Sequence, residues 1–271
     1  MANSFFNHSA IISDYDNLIV VLGHGQLARM MYLEATHLGL NIIAVNANSR
    51  ECVHPVDGSE IQLSIDDAFK HAIAITSEFE HLPAELVSKA DKTGKYFPSA
   101  DAIKAGGDRI IEKQLLDSLH IDNCQHVILN STDDLQKAKD ILGDKLILKT
   151  SRDGYDGYGQ WRVFSEQDFA SVASQLETHP FDKMPLIAER CIKFDREVSL
   201  IGVTDKNGNH SYYPLTENHH ADGQLVLSIG PAPKLPLELQ QLAQDVHQKI
   251  ADKLNYCGVL AIEFFQVGER L

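Results

Sequence analysis

The chain has 271 residues, 44% of them hydrophobic and 23% charged, the proportions of an ordinary globular protein with room for about two domains. Lys and Arg total 24 against 38 Asp and Glu, a net charge of -14, so phosphate backbones are repelled and general nucleic-acid binding is excluded; an anion can be held only by a local cluster of cations. Four cysteines without a Cys-x-x-Cys pair suggest neither a zinc knuckle nor a disulfide framework, and predict reduced thiols in a cytoplasmic protein. No apolar run approaches the roughly 18 residues of a membrane span, and no Lys or Arg precedes Arg29, so neither an anchor nor an export signal is expected.

In chain order, the apolar run 18–22 predicts a strand, Gly23-His-Gly-Gln-Leu-Ala28 a glycine turn, and Leu27, Met30, Met31 and Ala35 the helix after it. Further strands are expected at 41–45, 73–76 and 96–97, an alternation with helices that predicts a parallel sheet with crossovers. After a break at Gly106-Gly107, residues 108–119 form a helix with Ile111, Leu115, Leu116 and Leu119 on one side. The first domain therefore covers 1–105 and the second 106–271. In the second, strands are expected at 145–150, 160–164, 186–189, 197–203 and 212–215, with Ser165-Glu-Gln-Asp168 opening a helix. A long helix at 236–254 and a last strand at 258–267 complete it.

Three constellations carry chemistry. Gly23-x-Gly25-x-x-Ala28, between a strand and a helix, is a turn able to approach a phosphate, although the next strand ends in Asn46-Ala47-Asn48 without the acid of a dinucleotide site; a tight turn without ligand is the alternative. The loop Asp153-Gly-Tyr-Asp-Gly-Tyr-Gly-Gln160 places three glycines between two strands, a candidate phosphate lid without the Gly-Lys-Ser/Thr of a Walker loop. Lys149 before it and Arg109 at a helix start are separated cations suited to a polyphosphate. Glu189, Glu197 and Glu263 form an acidic set; Glu263 lies within Val259-Leu-Ala-Ile-Glu-Phe-Phe265, where a carboxylate needs a partner or a metal unless it faces solvent. Glu78 and Glu80 follow the third strand, where open α/β sheets bind ligands.

Taken together, Leu22-Gly-x-Gly-Gln-Leu-Ala-Arg-Met30, Asp108-Arg-x-x-x-Lys-Gln114, Lys149 with Gly154-Tyr-Asp-Gly-x-Gly-Gln-Trp161, Glu189, Glu197-Val-Ser-Leu200 and Tyr213-Pro-Leu-Thr-x-Asn218 resemble the 5-(carboxyamino)imidazole ribonucleotide synthetases. These are ATP-grasp ligases of purine biosynthesis. The resemblance implies an α/β fold with a Rossmann-like pre-ATP-grasp domain and an ATP-grasp domain whose lid covers about 145–188. It implies carboxylation of the exocyclic amine of 5-aminoimidazole ribonucleotide by bicarbonate, with ATP as co-substrate, Mg2+ as metal, carboxyphosphate as intermediate and a homodimer as the full-length assembly. Residue by residue, it implies that Arg109, Lys149, Gly154, Tyr155, Asp156, Gly157, Tyr158, Gly159, Gln160, Glu189, Arg190, Cys191, Ile192, Glu197 and His220 bind ATP. Gly25, Gln26, Glu78, Tyr155 and Asp156 would take the ribonucleotide, Lys149, Tyr155 and Asp156 would act in catalysis, and Glu263 would bind the metal.

The sequence departs from that pattern at its end. The family continues past the Glu263 strand into a returning strand with an Asn-Glu pair and then Ala-Pro-Arg-x-His-Asn-Ser-Gly-His, whereas this sequence stops at Gly268-Glu-Arg-Leu271; Glu217 also stands where some relatives have His. The expectation is an ATP-grasp domain incomplete at its C-terminus, poorly soluble and without turnover. Another ATP-grasp ribonucleotide ligase or formyltransferase, and a non-catalytic ATP-binding fragment, are the alternatives.

Overall fold

The computed structural model describes residues 16–152, 154, 159–221 and 223–271, in two units, Met1–Ile103 and Lys104–Leu271. In the first, β1 (Leu18–Leu22) lies parallel to both β2 (Asn41–Val45) and β4 (Ala74–Ser77), while β3 (Cys52–Val53) runs antiparallel on the far side of β2. Helices α1 (Gln26–His37), α2 (Ile65–His71) and α3 (Ala84–Asp91) connect them, and α4 (Ala100–Gly107) follows. Val21 packs with Ala28 and Ala35 of α1 on one face of the sheet, and Leu18, Val20 and Leu22 pack with Phe69 of α2 and Leu86 of α3 on the other. Burial on both faces explains why β1 reads as a continuous apolar run.

Two expectations change here. The strand at 96–97 reduces to a single bridge between Ile75 and Tyr96. Gly106 and Gly107 do not interrupt the chain before a helix but are the last residues of α4, and the break falls at Asp108, whose side chain accepts from the Ile110 N–H and caps α5 (Arg109–Ser118).

The second unit holds two antiparallel sheets. One has the order β5 (His126–Leu129), β8 (Leu186–Arg190), β6 (Leu146–Thr150), β7 (Gln160–Val163), with α6 (Asp134–Leu142) and α7 (Glu166–Leu176) on its inner face. The Ser165-x-x-Asp168 signal is a closed capping box: the Asp168 N–H donates to Ser165 Oγ, and Asp168 Oδ2 accepts from the Phe164 N–H. In the other sheet β9 (Arg196–Thr204) pairs with β13 (Gly258–Gln266) along one edge and with β10 (His210–Tyr212) and β11 (Thr216–Ala221) along the other, and β12 (Gln224–Ile229) pairs with β11. The strand expected at 212–215 is thus the end of β10 and the irregular connection to β11, and the β11–β12 hairpin has no counterpart among the expected strands. Helix α8 (Leu237–Leu254) covers this sheet with Leu239, Ala243, Val246 and Ile250, and Leu115, Leu116 and Leu119 of α5 join the same apolar layer. No helix among the described residues is long and apolar enough to cross a membrane.

The ring of His247 on α8 is fully buried against Gly202 of β9, where an added Cβ would lie 2.4 Å from His247 Nε2. Tyr212 meets the ring edge-on at 5.1 Å, so it has nowhere to retreat. Gly202→Ala is expected to lose roughly 1–3 kcal/mol of stability through overpacking. Urea unfolding followed by the fluorescence of Trp161, the single tryptophan, which lies in this unit, measures the loss; a midpoint equal to that of the parent would show that the helix can shift freely.

Candidate active site

Strand alternation divides β5, β8 and β6 into two faces. Leu129, Leu186, Ala188, Leu146 and Leu148 point to the α6 and α7 core, which leaves His126, Glu189, Ile187, Ile147 and Lys149 on the opposite face. There Glu189, only 7% exposed, accepts from two lysines: Lys149 Nζ lies 2.6 Å from its Oε2 and Lys113 Nζ, from α5, 2.8 Å from its Oε1. Burial would raise the Glu189 carboxyl, but the two ammonium groups outweigh it and hold it below its ordinary value. Glu112 beside it moves the other way, raised chiefly by burial.

Arg109 sits one turn before Lys113 on α5. Its backbone N–H donates to the Ser151 carbonyl at 2.8 Å, and its guanidinium donates to the carbonyls of Thr150 at 3.1 Å and Gly154 at 3.2 Å. The helix start thereby holds the base of the glycine loop. At the loop's far end Gly159 has φ +68, and a Cβ there would meet Thr150 Oγ1 at 2.6 Å, so glycine is required. Arg109, Lys113 and Lys149 form the local cation cluster that an acidic chain needs to hold an anion. Each ammonium has three donors and spends one on Glu189, which leaves others for anionic oxygens.

The second sheet offers a polar face. Glu197 of β9 is opposite Asn218 of β11, and its Oε2 lies 2.7 Å from His220 Nδ1. His219 turns the other way, to Glu217 at 3.0 Å, as expected for adjacent residues of an extended chain. Arg196 bonds Gln266 of β13 at 2.7 Å, Glu217 of β11 at 2.8 Å and the Pro233 carbonyl at 2.7 Å, and so ties three elements beside Glu197.

Glu263 does not meet the expectation that its apolar strand would bury it. Leu260, Ile262 and Phe264 take the inward positions of β13, whereas Val259, Ala261, Glu263 and Phe265 are exposed. Its neighbour in register is Ser199, and among the described residues no three His, Cys, Asp or Glu side chains group to hold a metal. These donors do not by themselves make a magnesium site.

In the first unit, the Gly25 N–H donates to Glu78 Oε2 at 2.6 Å and the Leu27 N–H to Glu78 Oε1 at 3.0 Å. A Cβ on Gly23 or Gly25 would collide with that carboxylate at 2.6 Å and 2.5 Å. The glycine turn is shaped around an internal anion at the start of α1, and Gln26 is exposed beside it.

Of the other residues singled out, Tyr155, Asp156, Gly157 and Tyr158 lie outside the described residues. Gln160 is opposite Lys149, and Ile192 is half-buried. Arg190 leaves the site face, its Nε donating to the Leu142 carbonyl at the end of α6 at 2.9 Å. Lys113 is a site residue that sequence reasoning misses, although its position four residues after Arg109 puts both on one helical face.

The ATP-grasp domain family matches residues 114–271, and the ribonucleotide synthetase preATP-grasp domain family matches 17–106. An N5-carboxyaminoimidazole ribonucleotide synthase from Vibrio parahaemolyticus is 41% identical over 257 residues, 93% of this chain and 67% of the relative. One from Pseudomonas aeruginosa is 32% identical over 93% of this chain and 69% of its own length. The chain thus spans about two thirds of the length of these curated relatives. A crystal structure of the synthetase from Thermus thermophilus superposes with a TM-score of 0.80 at 31% identity, covering 93% of this chain and 69% of that one. A structure from Aspergillus clavatus in complex with ADP and 5-aminoimidazole ribonucleotide gives 0.78 at 25% identity, covering 94% and 67%.

Proposed function

The chain belongs to the N5-carboxyaminoimidazole ribonucleotide synthase family of ATP-grasp ligases, and from that premise we propose that it binds ATP on the Lys113–Glu189–Lys149 face and serves the ATP-driven carboxylation of 5-aminoimidazole ribonucleotide in purine biosynthesis. The observation that carries the reading is the buried carboxylate flanked by two lysines, with Arg109 holding the carbonyls of Thr150 and Gly154 at the base of the glycine loop. Lys149 and Lys113 contact phosphate oxygens, and Arg109 positions the glycine loop against them. Positive charge fixed at these atoms stabilises a phosphoryl group in transfer, because it needs no rearrangement when charge develops. Glu197, oriented by His220, accepts from the ribose hydroxyls, and residues 189–192 line the adenine. A bicarbonate oxygen attacks the γ-phosphorus of ATP, forming carboxyphosphate as ADP leaves, and the exocyclic amine then attacks the carboxyphosphate carbon, giving the carbamate as phosphate leaves and the amine proton is lost. In the first unit, Gly25, Gln26 and Glu78 take the ribonucleotide. A homodimer in the cytoplasm belongs to the same reading.

Magnesium, which the resemblance implies, would supply a cation for the phosphate oxygens, and among the described residues Glu263 is the exposed carboxylate of β13 that would meet it. With one such carboxylate among the described residues, binding and turnover are expected to come apart. Calorimetry should show ATP binding, and 5-aminoimidazole ribonucleotide should bind more weakly after Glu78→Ala. A chain that takes no ATP would overturn the nucleotide assignment. ADP release at a relative's rate, dependent on bicarbonate and the ribonucleotide, would support the acceptor and refute the single-carboxylate argument.

A further inference from the structure

Continuing the β5–β8 register outward from His126 opposite Glu189 puts Gln125 opposite Arg190 and Cys124 opposite Cys191. The Arg190 N–H donates to the Gln125 carbonyl at 2.9 Å, which marks that pair as hydrogen-bonded, so the cysteines take the next, non-hydrogen-bonded position. Consistently, the Cys191 N–H points away from β5, to the Lys145 carbonyl at 2.9 Å. At such a position the Cα atoms are about 4.5 Å apart and the side chains approach most closely. A disulfide accepts Cα separations of about 4.4–6.8 Å. Both thiols are free and half-buried, and by alternation both stand on the face that carries Glu189. The environment of Cys124 includes Cys191, Glu189, Lys113 and Lys149.

We propose that Cys124 and Cys191 are a redox pair whose cross-strand disulfide fixes Cys191 and Ile192 to the segment just before β5 and blocks the nucleotide site. The consequence for ATP rests on the nucleotide reading above; the disulfide does not. The oxidant is a small-molecule disulfide such as oxidised glutathione. The Cys191 thiolate attacks one of its sulfurs, forming a mixed disulfide and expelling one glutathione thiolate. The Cys124 thiolate then attacks the Cys191 sulfur and expels the second. Two thiols become one disulfide, one oxidised glutathione becomes two reduced ones, and the two cysteine protons pass to them. Burial, aided by the charge of Glu189, raises the Cys124 thiol and so slows its own attack on the oxidant. A bond across adjacent strands is of the reducible kind that suits a switch rather than a staple.

The test is to incubate the 271-residue chain with oxidised glutathione, map unreduced peptides by mass spectrometry and titrate ATP before and after. The expected product is a Cys124–Cys191 linked peptide with Cys52 and Cys257 unlinked, an ATP affinity at least tenfold weaker, and full recovery with dithiothreitol. Before oxidation Cys124→Ser should bind ATP as the reduced parent does, and after it should carry a glutathione adduct on Cys191 in place of the link. Adducts without a linked peptide in the parent overturn the pair, and a linked chain that binds ATP as the reduced chain does overturns the block. If the reduced chain takes no ATP, the nucleotide reading and the block fail together, while the linked peptide still decides the disulfide.

Discussion

Glu189→Gln is expected to destabilise the second unit by roughly 3 kcal/mol at neutral pH, because it leaves the Lys113 and Lys149 ammonium groups facing each other without their shared carboxylate. The glutamine amide has the right shape and can accept one hydrogen bond, so little of the loss comes from packing. The pH dependence identifies the cause. The Glu189 carboxyl is held below its ordinary value near 4.5 in the folded chain, so its contribution is complete above that value and is lost as pH falls through the lowered one. The gap between parent and variant should therefore be widest near neutrality and close as the solution is acidified below about 4.5. Urea unfolding read by Trp161 at several pH values measures it, since that residue packs in the core of the same sheet. A gap that stays constant with pH would mean that charge has no part in it.

Lys149→Ala is expected to weaken ATP binding at least tenfold, the equivalent of about 1.4 kcal/mol, because a charge-assisted contact to phosphate contributes more than a neutral one. Lys149 is the more accessible of the two lysines, its side chain 27% exposed against 11% for Lys113, and so is better placed to reach a ligand without leaving Glu189. Glu189 retains Lys113 in the variant, so the fold should persist with reduced stability. Calorimetric titration with ATP, on protein shown to be folded by Trp161 fluorescence, separates the two effects. Affinity equal to that of the parent would remove Lys149 from the site.

What can be read in the sequence follows from how each element buries its side chains. β1 and α8 are legible because an apolar run and a 3.6-residue stripe each meet a core. The β11–β12 hairpin is not, since Glu217-Asn218-His219-His220 carries little apolar signal and Leu225, Val226 and Leu227 are all exposed. Glu263 misleads for a related reason. With Val, Ala and Phe on the outer face of β13, apolar residues occupy both faces and the alternation that puts Glu263 outside is hidden. Lys113 stands in the Asp108–Gln114 motif but takes no role from the sequence, because a lysine on a helix with an apolar stripe is ordinarily solvated and only the fold brings Glu189 to it. The glycine turn is recognisable as an anion cradle, but nothing in the sequence shows that Glu78, 53 residues beyond Gly25, fills it.

The division of β8 into two faces also governs where the chain can change length. Leu186 and Ala188 belong to the core, while Ile187, Glu189 and the following Cys191 belong to the site face. One residue inserted within β8 would turn Glu189 into the core against Leu146 and Leu148 and take it from both lysines, so folding and ligand chemistry would fail in one step. The same insertion at the exposed Glu177 and Thr178, just after α7, displaces neither face, since a surface connection absorbs an extra residue at small entropic cost. Length variation among functional descendants of this sequence should therefore gather just after α7 and be absent from β8 and from the residues before it that bond Ser151 and Arg152.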